Sequence, residues 1–163
     1  MFDFLPDLHR DAICEILNSE WGIPAPDKII APDGEPYLYR WHVIPKNDLV
    51  NIYLHLQVSS DSDRGCHDHP WDNTSVILAG GYEEETYSRC GPVWVKAAVI
   101  KRNPGDVIRR SAEEPHRLAL SEPYSLSLFV TGPVRRDWGF WIGGQWQRAD
   151  RIVEVIDGIS RRK

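Results

Sequence analysis

The stretch Gly65-Cys66-His67-Asp68-His69-Pro70-Trp71-Asp72-Asn73-Thr74 decides what this 163-residue chain is expected to form. Its two histidines are two residues apart, and in an extended strand His67 and His69 therefore point to the same side. Two imidazoles side by side form a natural pair of metal ligands. The spacing predicts a strand that binds a metal ion.

A third histidine, His116, lies 47 residues after His69 and directly follows Pro115. If the chain folds back so that the two segments run side by side, the three histidines converge. A three-histidine set leaves coordination positions open, which is typical of a catalytic metal site rather than a structural one. The alternative is that the three histidines are unrelated core or surface residues.

The histidine-containing stretch resembles the first motif of the cupin superfamily. That motif has a glycine, a His-x-His pair, usually a glutamate and a further glycine, and its counterparts here are Gly65, His67, His69 and Gly80 or Gly81. The sequence His-Asp-His-Pro-Trp-Asp also resembles a group of bacterial and phage cupin-like proteins, and that closer likeness implies no established activity.

The second cupin motif is matched more loosely, by Gly105, Pro115 and His116. The resemblance covers about residues 37 to 141 and implies a small double-stranded β-helix with a metal ion inside. It also implies a possible homodimer, because cupins often pair through outer strands.

The glutamate of the first motif has no counterpart in this chain. It would fall near Asn73 or Thr74, and neither residue is acidic. We therefore expect Asp72 to lie near the metal, either in contact with the ligands and bound water or as a fourth ligand.

The predicted fold class is all-β, a jelly-roll-like cupin barrel over residues 37–147 with a flanking helix at each end. Apolar residues at helical spacing predict an N-terminal helix over residues 5–20 and a short C-terminal helix over residues 149–159. No linker or repeat is visible, so one domain over residues 1–163 is expected.

The amino-acid composition limits the classes of protein to which this chain is expected to belong. Hydrophobic residues make up 42% and charged residues 26% of the chain, as in ordinary globular proteins, and the formal net charge of −5 disfavours binding to nucleic acid. No apolar run is long enough to span a membrane, and no secretory signal is recognisable. The cysteines, Cys14, Cys66 and Cys90, suggest no disulfide framework, so a cytoplasmic location is expected.

Four polar residues are candidates for contact with a small-molecule substrate: Arg40, His55, Tyr82 and Arg136. Arg40 and His55 lie on strands that would form the barrel wall, and Arg136 belongs to a basic pair next to three aromatic residues. The alternatives are surface charges, hydrogen bonds between strands and ion pairs at an edge strand.

The expected cofactor is one divalent metal ion, with Fe(II) favoured and zinc, nickel or manganese as alternatives. A three-histidine Fe(II) site without a glutamate is similar to that of some cupin dioxygenases, so dioxygenase-type chemistry is favoured. The alternatives are a metal-dependent isomerase or lyase, which would need a separate base such as His55, Tyr82, Glu83 or Glu84, and a non-catalytic binding module. The catalytic residues stay unassigned from sequence.

Overall fold

The structure is a computed structural model that describes residues 1–32, 34–62, 65–156 and 159–162. For residues 153–156 and 159–162 only the backbone is described. None of the helices in these ranges is long and apolar enough to cross a membrane.

Strands make up most of the secondary structure. The two helices of the described ranges are α1 (Asp7–Ile16) and α2 (Ala149–Ile152). The strands are β1 (Lys28–Ile30), β2 (Leu38–His42), β3 (Asn51–Gln57), β4 (Cys66–His67), β5 (Asn73–Cys90), β6 (Val93–Arg102), β7 (Val107–Arg110), β8 (His116–Thr131), β9 (Gly139–Ile142), β10 (Gln145–Arg148), β11 (Val153–Ile156) and β12 (Ile159–Arg162).

The strands form one curled sheet in the order β10-β9-β4-β8-β3-β2-β1-β12-β11, and β5 pairs with β6, β7 and β8. Neighbouring strands are antiparallel except for β1 and β12. The two longest strands, β5 with 18 residues and β8 with 16, pair along most of their length. The predicted all-β, double-stranded architecture is confirmed.

The main hydrophobic core lies between one face of the sheet and the N-terminal segment. Ile13 of α1 is fully buried there, and the Phe2 ring packs edge-on against Tyr39 and Trp41 at centroid distances of 5.1 and 5.5 Å. The other buried members are Leu5, Leu54, Leu56, Ala79, Tyr124 and Leu126.

Side chains alternate along each strand, so the opposite face carries a different set of residues. This inner face is largely polar, with Arg40 opposite His55 and His55 opposite Ser127 in the strand register. The buried polar residues of the same face include Gln57, Asn73, Ser75 and Ser125. The interior of the barrel is therefore lined by groups that can bind a polar ligand.

The N-terminal helix is shorter than the predicted span of residues 5–20. It ends at Ile16 because Asn18 adopts a left-handed conformation with φ 51°. The backbone N–H groups of Asn18 and Ser19 donate to the carbonyls of Glu15 and Cys14, which closes the helix with a Schellman-type cap. Asparagine tolerates this conformation better than most residues.

The predicted C-terminal helix over residues 149–159 is wrong beyond its first turn. The helix stops at Ile152, and the chain continues as β11 and then β12, whose Ser160 pairs with Ile30 of β1. The β-branched residues from Ile152 onward favour strand over helix, and the edge of β1 offers a pairing partner. Residues 157 and 158 of the predicted span lie outside the described residues.

Replacing Ile13 with alanine tests the contribution of α1 to the core. Because Ile13 is fully buried, we expect Ile13→Ala to lower the free energy of unfolding by about 2 to 5 kcal/mol in urea titrations. Leu8 lies on the same helix but is 75% exposed, so Leu8→Ala should change that free energy by less than about 0.5 kcal/mol. Equal effects of the two changes would contradict the packing described here.

Candidate metal centre

The three predicted histidines lie together. His67 ends β4, His116 begins β8, and the strand register places these two residues directly opposite each other. His69 follows in the loop after β4, where its backbone N–H donates to the carbonyl of Ala112 at 3.1 Å. One ring nitrogen from each histidine lies within 4.8 Å of the others.

The cluster fits one divalent ion. The Nε2 atoms of His69 and His116 are 3.5 Å apart. Two nitrogens bound to the same ion at the usual distances are about 3 to 3.5 Å apart. Burial lowers the pKa values of His69 and His116 well below their usual range, and neighbouring histidine and arginine side chains lower them further. The rings are therefore held in the neutral form that binds metal.

Asp61 orients the His67 ring from its Nδ1 side. Its Oδ2 lies 3.5 Å from His67 Nδ1 and also accepts a hydrogen bond from the backbone N–H of Leu118 at 2.7 Å. Its other oxygen accepts the Tyr37 hydroxyl. A carboxylate on the Nδ1 side of the ring leaves Nε2 as the nitrogen available to a metal ion.

Asp68, between the two histidines of the motif, points to the opposite face and is 1% exposed. Its Oδ1 accepts the backbone N–H of Gly139 at 2.7 Å, and its Oδ2 accepts the Trp146 indole at 2.8 Å and lies 2.9 Å from the Arg136 guanidinium. Its own backbone N–H donates back to the carbonyl of Gly139. This carboxylate fixes the segment that carries His67 and His69 to β9 and β10.

Asp72 contacts the backbone of the second motif. Its Oδ1 accepts the N–H of Ala112 at 2.8 Å, and its Oδ2 lies 2.5 Å from Arg135. The carbonyl of the same Ala112 accepts the N–H of His69. Asp72 therefore helps to position His69 indirectly, through Ala112. These contacts favour an orienting role for Asp72 over direct ligation, and the metal-ligating cluster among the described residues consists of the three histidines.

Gly65 is required by the close approach of β9. A Cβ atom at this position would lie 2.1 Å from the carbonyl oxygen of Trp141, which the backbone could not accommodate. The first glycine of the motif therefore allows β4 to pair with β9.

Aromatic rings form a wall beside the cluster. Trp71 stacks on His69 with a centroid distance of 4.9 Å, and Phe129 contacts both rings. On its other side Phe129 stacks on His55 at 4.9 Å, and His55 stacks in turn on Tyr53. The rings connect the metal centre to the polar interior of the barrel.

Two of the predicted substrate-contact residues, Arg40 and His55, contact each other in that interior. The Nε–H of Arg40 donates to His55 Nε2 at 2.9 Å, and its guanidinium lies 4.7 Å from the Tyr53 ring centroid. Burial and the adjacent Arg40 lower the pKa of His55 well below its usual range, so its ring is neutral.

Tyr82 and Arg136, the other two predicted substrate contacts, are held by neighbouring residues. Tyr82 is buried, and Arg110 and Ser75 are the nearby side chains that interact with it. Arg136 pairs with Asp68 and donates to the carbonyl of Ala112 at 3.2 Å. The contacts of Arg136 favour a structural role.

Comparison with known proteins identifies the fold. Neither a protein-family model nor a curated protein matches the sequence. Among solved structures, the chain is similar to the DMSP lyase DddQ from Ruegeria pomeroyi, with 16% identity and a TM-score of 0.52, over 73% of this chain and 59% of DddQ. It is also similar to a protein from Ralstonia eutropha provisionally assigned as a mannose-6-phosphate isomerase, with 17% identity and a TM-score of 0.51, over 64% of this chain and 92% of that protein.

A cupin superfamily protein from Desulfitobacterium hafniense aligns with 64% of this chain and 84% of its own length, at 19% identity and a TM-score of 0.47. The chain has the cupin fold. The double-stranded sheet and the histidine cluster at the facing ends of β4 and β8 agree with that assignment.

Sequence reasoning missed the two carboxylates that support the histidine cluster. The sequence pattern does indicate a role for Asp68. Strand alternation puts it on the face opposite His67 and His69, where a charge needs partners. The sequence pattern indicates no role for Asp61, because this residue lies in a polar loop. The backbone hydrogen bond between residues 61 and 118 brings it close to His67.

Asp61→Asn should weaken metal binding. The amide keeps the shape of the carboxylate but loses the negative charge facing His67 Nδ1. We expect the dissociation constant for Zn(II), measured by competition with a chelating dye, to rise by about 10- to 100-fold. The exposed Asp48 provides a matched control, and Asp48→Asn should leave that constant unchanged. Unchanged affinity in Asp61→Asn would remove Asp61 from the centre.

Asp68→Asn should destabilise the fold. The change leaves the partly buried Arg136 without its carboxylate partner, and such losses cost about 3 kcal/mol or more. Asp137 forms an exposed ion pair with Arg148, so Asp137→Asn should cost at most about 1 kcal/mol. Urea unfolding of the two variants measures the difference, and a small effect of Asp68→Asn would contradict the role of its carboxylate in the loop.

Proposed function

We propose that this cupin is a mononuclear metal-dependent enzyme that carries out dioxygenase-type chemistry on a small molecule, with Fe(II) as the resident ion. The observation that carries the proposal is a candidate ligand set of three imidazoles, with no carboxylate in this cluster of the described residues. Imidazole suits iron, zinc, nickel and copper, and three such ligands leave positions for a substrate and a second reactant. Bound there, Fe(II) would supply oxygen activation and attract an anionic substrate.

The surroundings of the cluster support this choice over base-catalysed chemistry. The Nε2 of His55 accepts a hydrogen bond from Arg40, and Glu84 is buried between Arg102 and Arg110. Burial raises the pKa of Tyr82, which makes it a poor base at neutral pH. Glu83 is exposed on the outer side of β5. None of the base candidates from the sequence is therefore free to take a proton at the centre.

The residues of the chain have separate tasks in this proposal. His67, His69 and His116 hold the ion, while Asp61 and Asp72 orient His67 and His69. Trp71 and Phe129 cover His69 and limit the access of water to the reacting groups.

The second candidate is an isomerase or lyase that uses a redox-inert ion such as zinc. Two similar solved structures, each with a TM-score above 0.5, favour it, because one is named as a DMSP lyase and the other is provisionally assigned as an isomerase. A fold hosts many activities, so this support is weaker than that of the ligand set.

Oxygen uptake tests the proposal. Protein purified without a histidine tag would be analysed for metal, loaded with Fe(II), and screened in an oxygen electrode with thiols, catechols and keto acids. We expect uptake that requires both iron and substrate, and its loss in His67→Ala because one of three ligands is removed. His9→Ala, a histidine of α1 that contacts Tyr124, should keep full uptake. No uptake with Fe(II), together with turnover of a sugar or keto compound by the zinc or nickel form, would favour the isomerase instead.

A further inference from the structure

Arg40 differs from the other arginines near the centre of the molecule. Arg102 and Arg110 both pair with Glu84, and Arg136 pairs with Asp68. Among the described residues, no carboxylate forms an ion pair with Arg40, whose polar partner is the uncharged ring of His55. Within the part of the chain that the structure describes, Arg40 on the inner face of the barrel therefore lacks an ion-pair partner, and the residue opposite it on β1 is a second cation, Lys28.

Arg40 is partly buried, so its charge is partly removed from water. Removing a charge from water costs several kcal/mol unless an opposite charge compensates for it. Burial lowers the pKa of the Arg40 guanidinium, which is the direction that this cost predicts. The contact with the Tyr53 ring offsets only part of the cost. A ligand that brings a negative charge would supply the missing partner.

The position of Arg40 connects it to the metal centre. Arg40 pairs across the sheet with His55, which stacks on Phe129, and Phe129 contacts His69. Arg40 therefore lies on the same inner face as the histidine cluster, separated from His69 by the side chains of His55 and Phe129.

We propose that Arg40 binds the carboxylate of a small organic acid, which is the substrate of the metal centre. The Nε–H of Arg40 is used by His55, so the two terminal nitrogens are left to form a planar fork. Such a fork matches a carboxylate with two parallel hydrogen bonds. His55 fixes the fork without carrying a competing charge. The proposal rests on the proposed function only in taking the metal centre as the site of reaction.

Binding measurements without turnover test this assignment. Isothermal titration calorimetry would compare glycolate, lactate and 3-hydroxypropionate with the matching neutral amides, on Zn(II)-loaded and on metal-free protein. We expect at least one acid to bind in both forms and its amide to bind at least about ten-fold more weakly, because the amide lacks the charge that Arg40 needs. Equal binding of every acid and its amide would overturn the proposal.

Substitutions assign the effect to Arg40. Arg40→Gln should weaken the binding of the acid by at least about ten-fold, and Arg40→Lys should fall between, because lysine keeps the charge but lacks the fork. Arg109 is exposed on β7, and Arg109→Gln should bind the acid as the unchanged protein does. Preferred binding of glycerol 3-phosphate over all the acids would overturn the carboxylate assignment.

Thermal stability separates a ligand-binding arginine from a structural one. Because Arg40 has no carboxylate partner among the described residues, the melting temperature of ligand-free Arg40→Gln should be equal to or above that of the unchanged protein. A marked fall in the melting temperatures of both Arg40→Gln and Arg40→Lys would instead show that Arg40 stabilises the barrel, and would overturn the proposal. Since none of these measurements uses oxygen or turnover, their outcome is independent of the oxygen-uptake test.

Discussion

The buried carboxylate of Asp68 is the contact on which the metal centre depends. His67 and His69 belong to a two-residue strand and a loop, which have little regular hydrogen bonding of their own. Asp68 lies between them and accepts donors from Gly139, Trp146 and Arg136. A loop that carries two ligands must be held firmly, because a metal ion tolerates little variation in ligand distance.

The two faces of the sheet have different roles: one carries the main hydrophobic core, and the other carries polar side chains. The face that packs on Phe2, Leu5 and Ile13 carries the main hydrophobic core, so burial of apolar area outside the barrel stabilises the fold. The inner face is thereby free to carry polar side chains such as Gln57 and Ser127. Such groups are costly in a closed core but suit a site that binds a polar ligand.

Several charged side chains near the barrel likewise have a structural role. Glu84 between Arg102 and Arg110, and Asp68 with Arg136, form ion pairs that contribute to the architecture. Arg40 lies outside these pairs, and burial keeps His69 and His116 neutral by lowering their pKa values. A divalent ion bound as proposed would add positive charge to this interior and favour small anions over neutral or cationic ligands.

The sequence by itself determined the all-β fold and identified the three histidines that lie together. Both follow from the His-x-His spacing and from strand alternation, which are local properties of the chain. It did not determine the C-terminal end, where pairing with β1 overrides helical periodicity. Nor did it distinguish Arg40 from Arg136, since both looked equally suited to bind an anion. Only the tertiary structure shows that Arg136 is paired, because the partner of a charge is set by residues far away in the chain, as Asp68 is for Arg136.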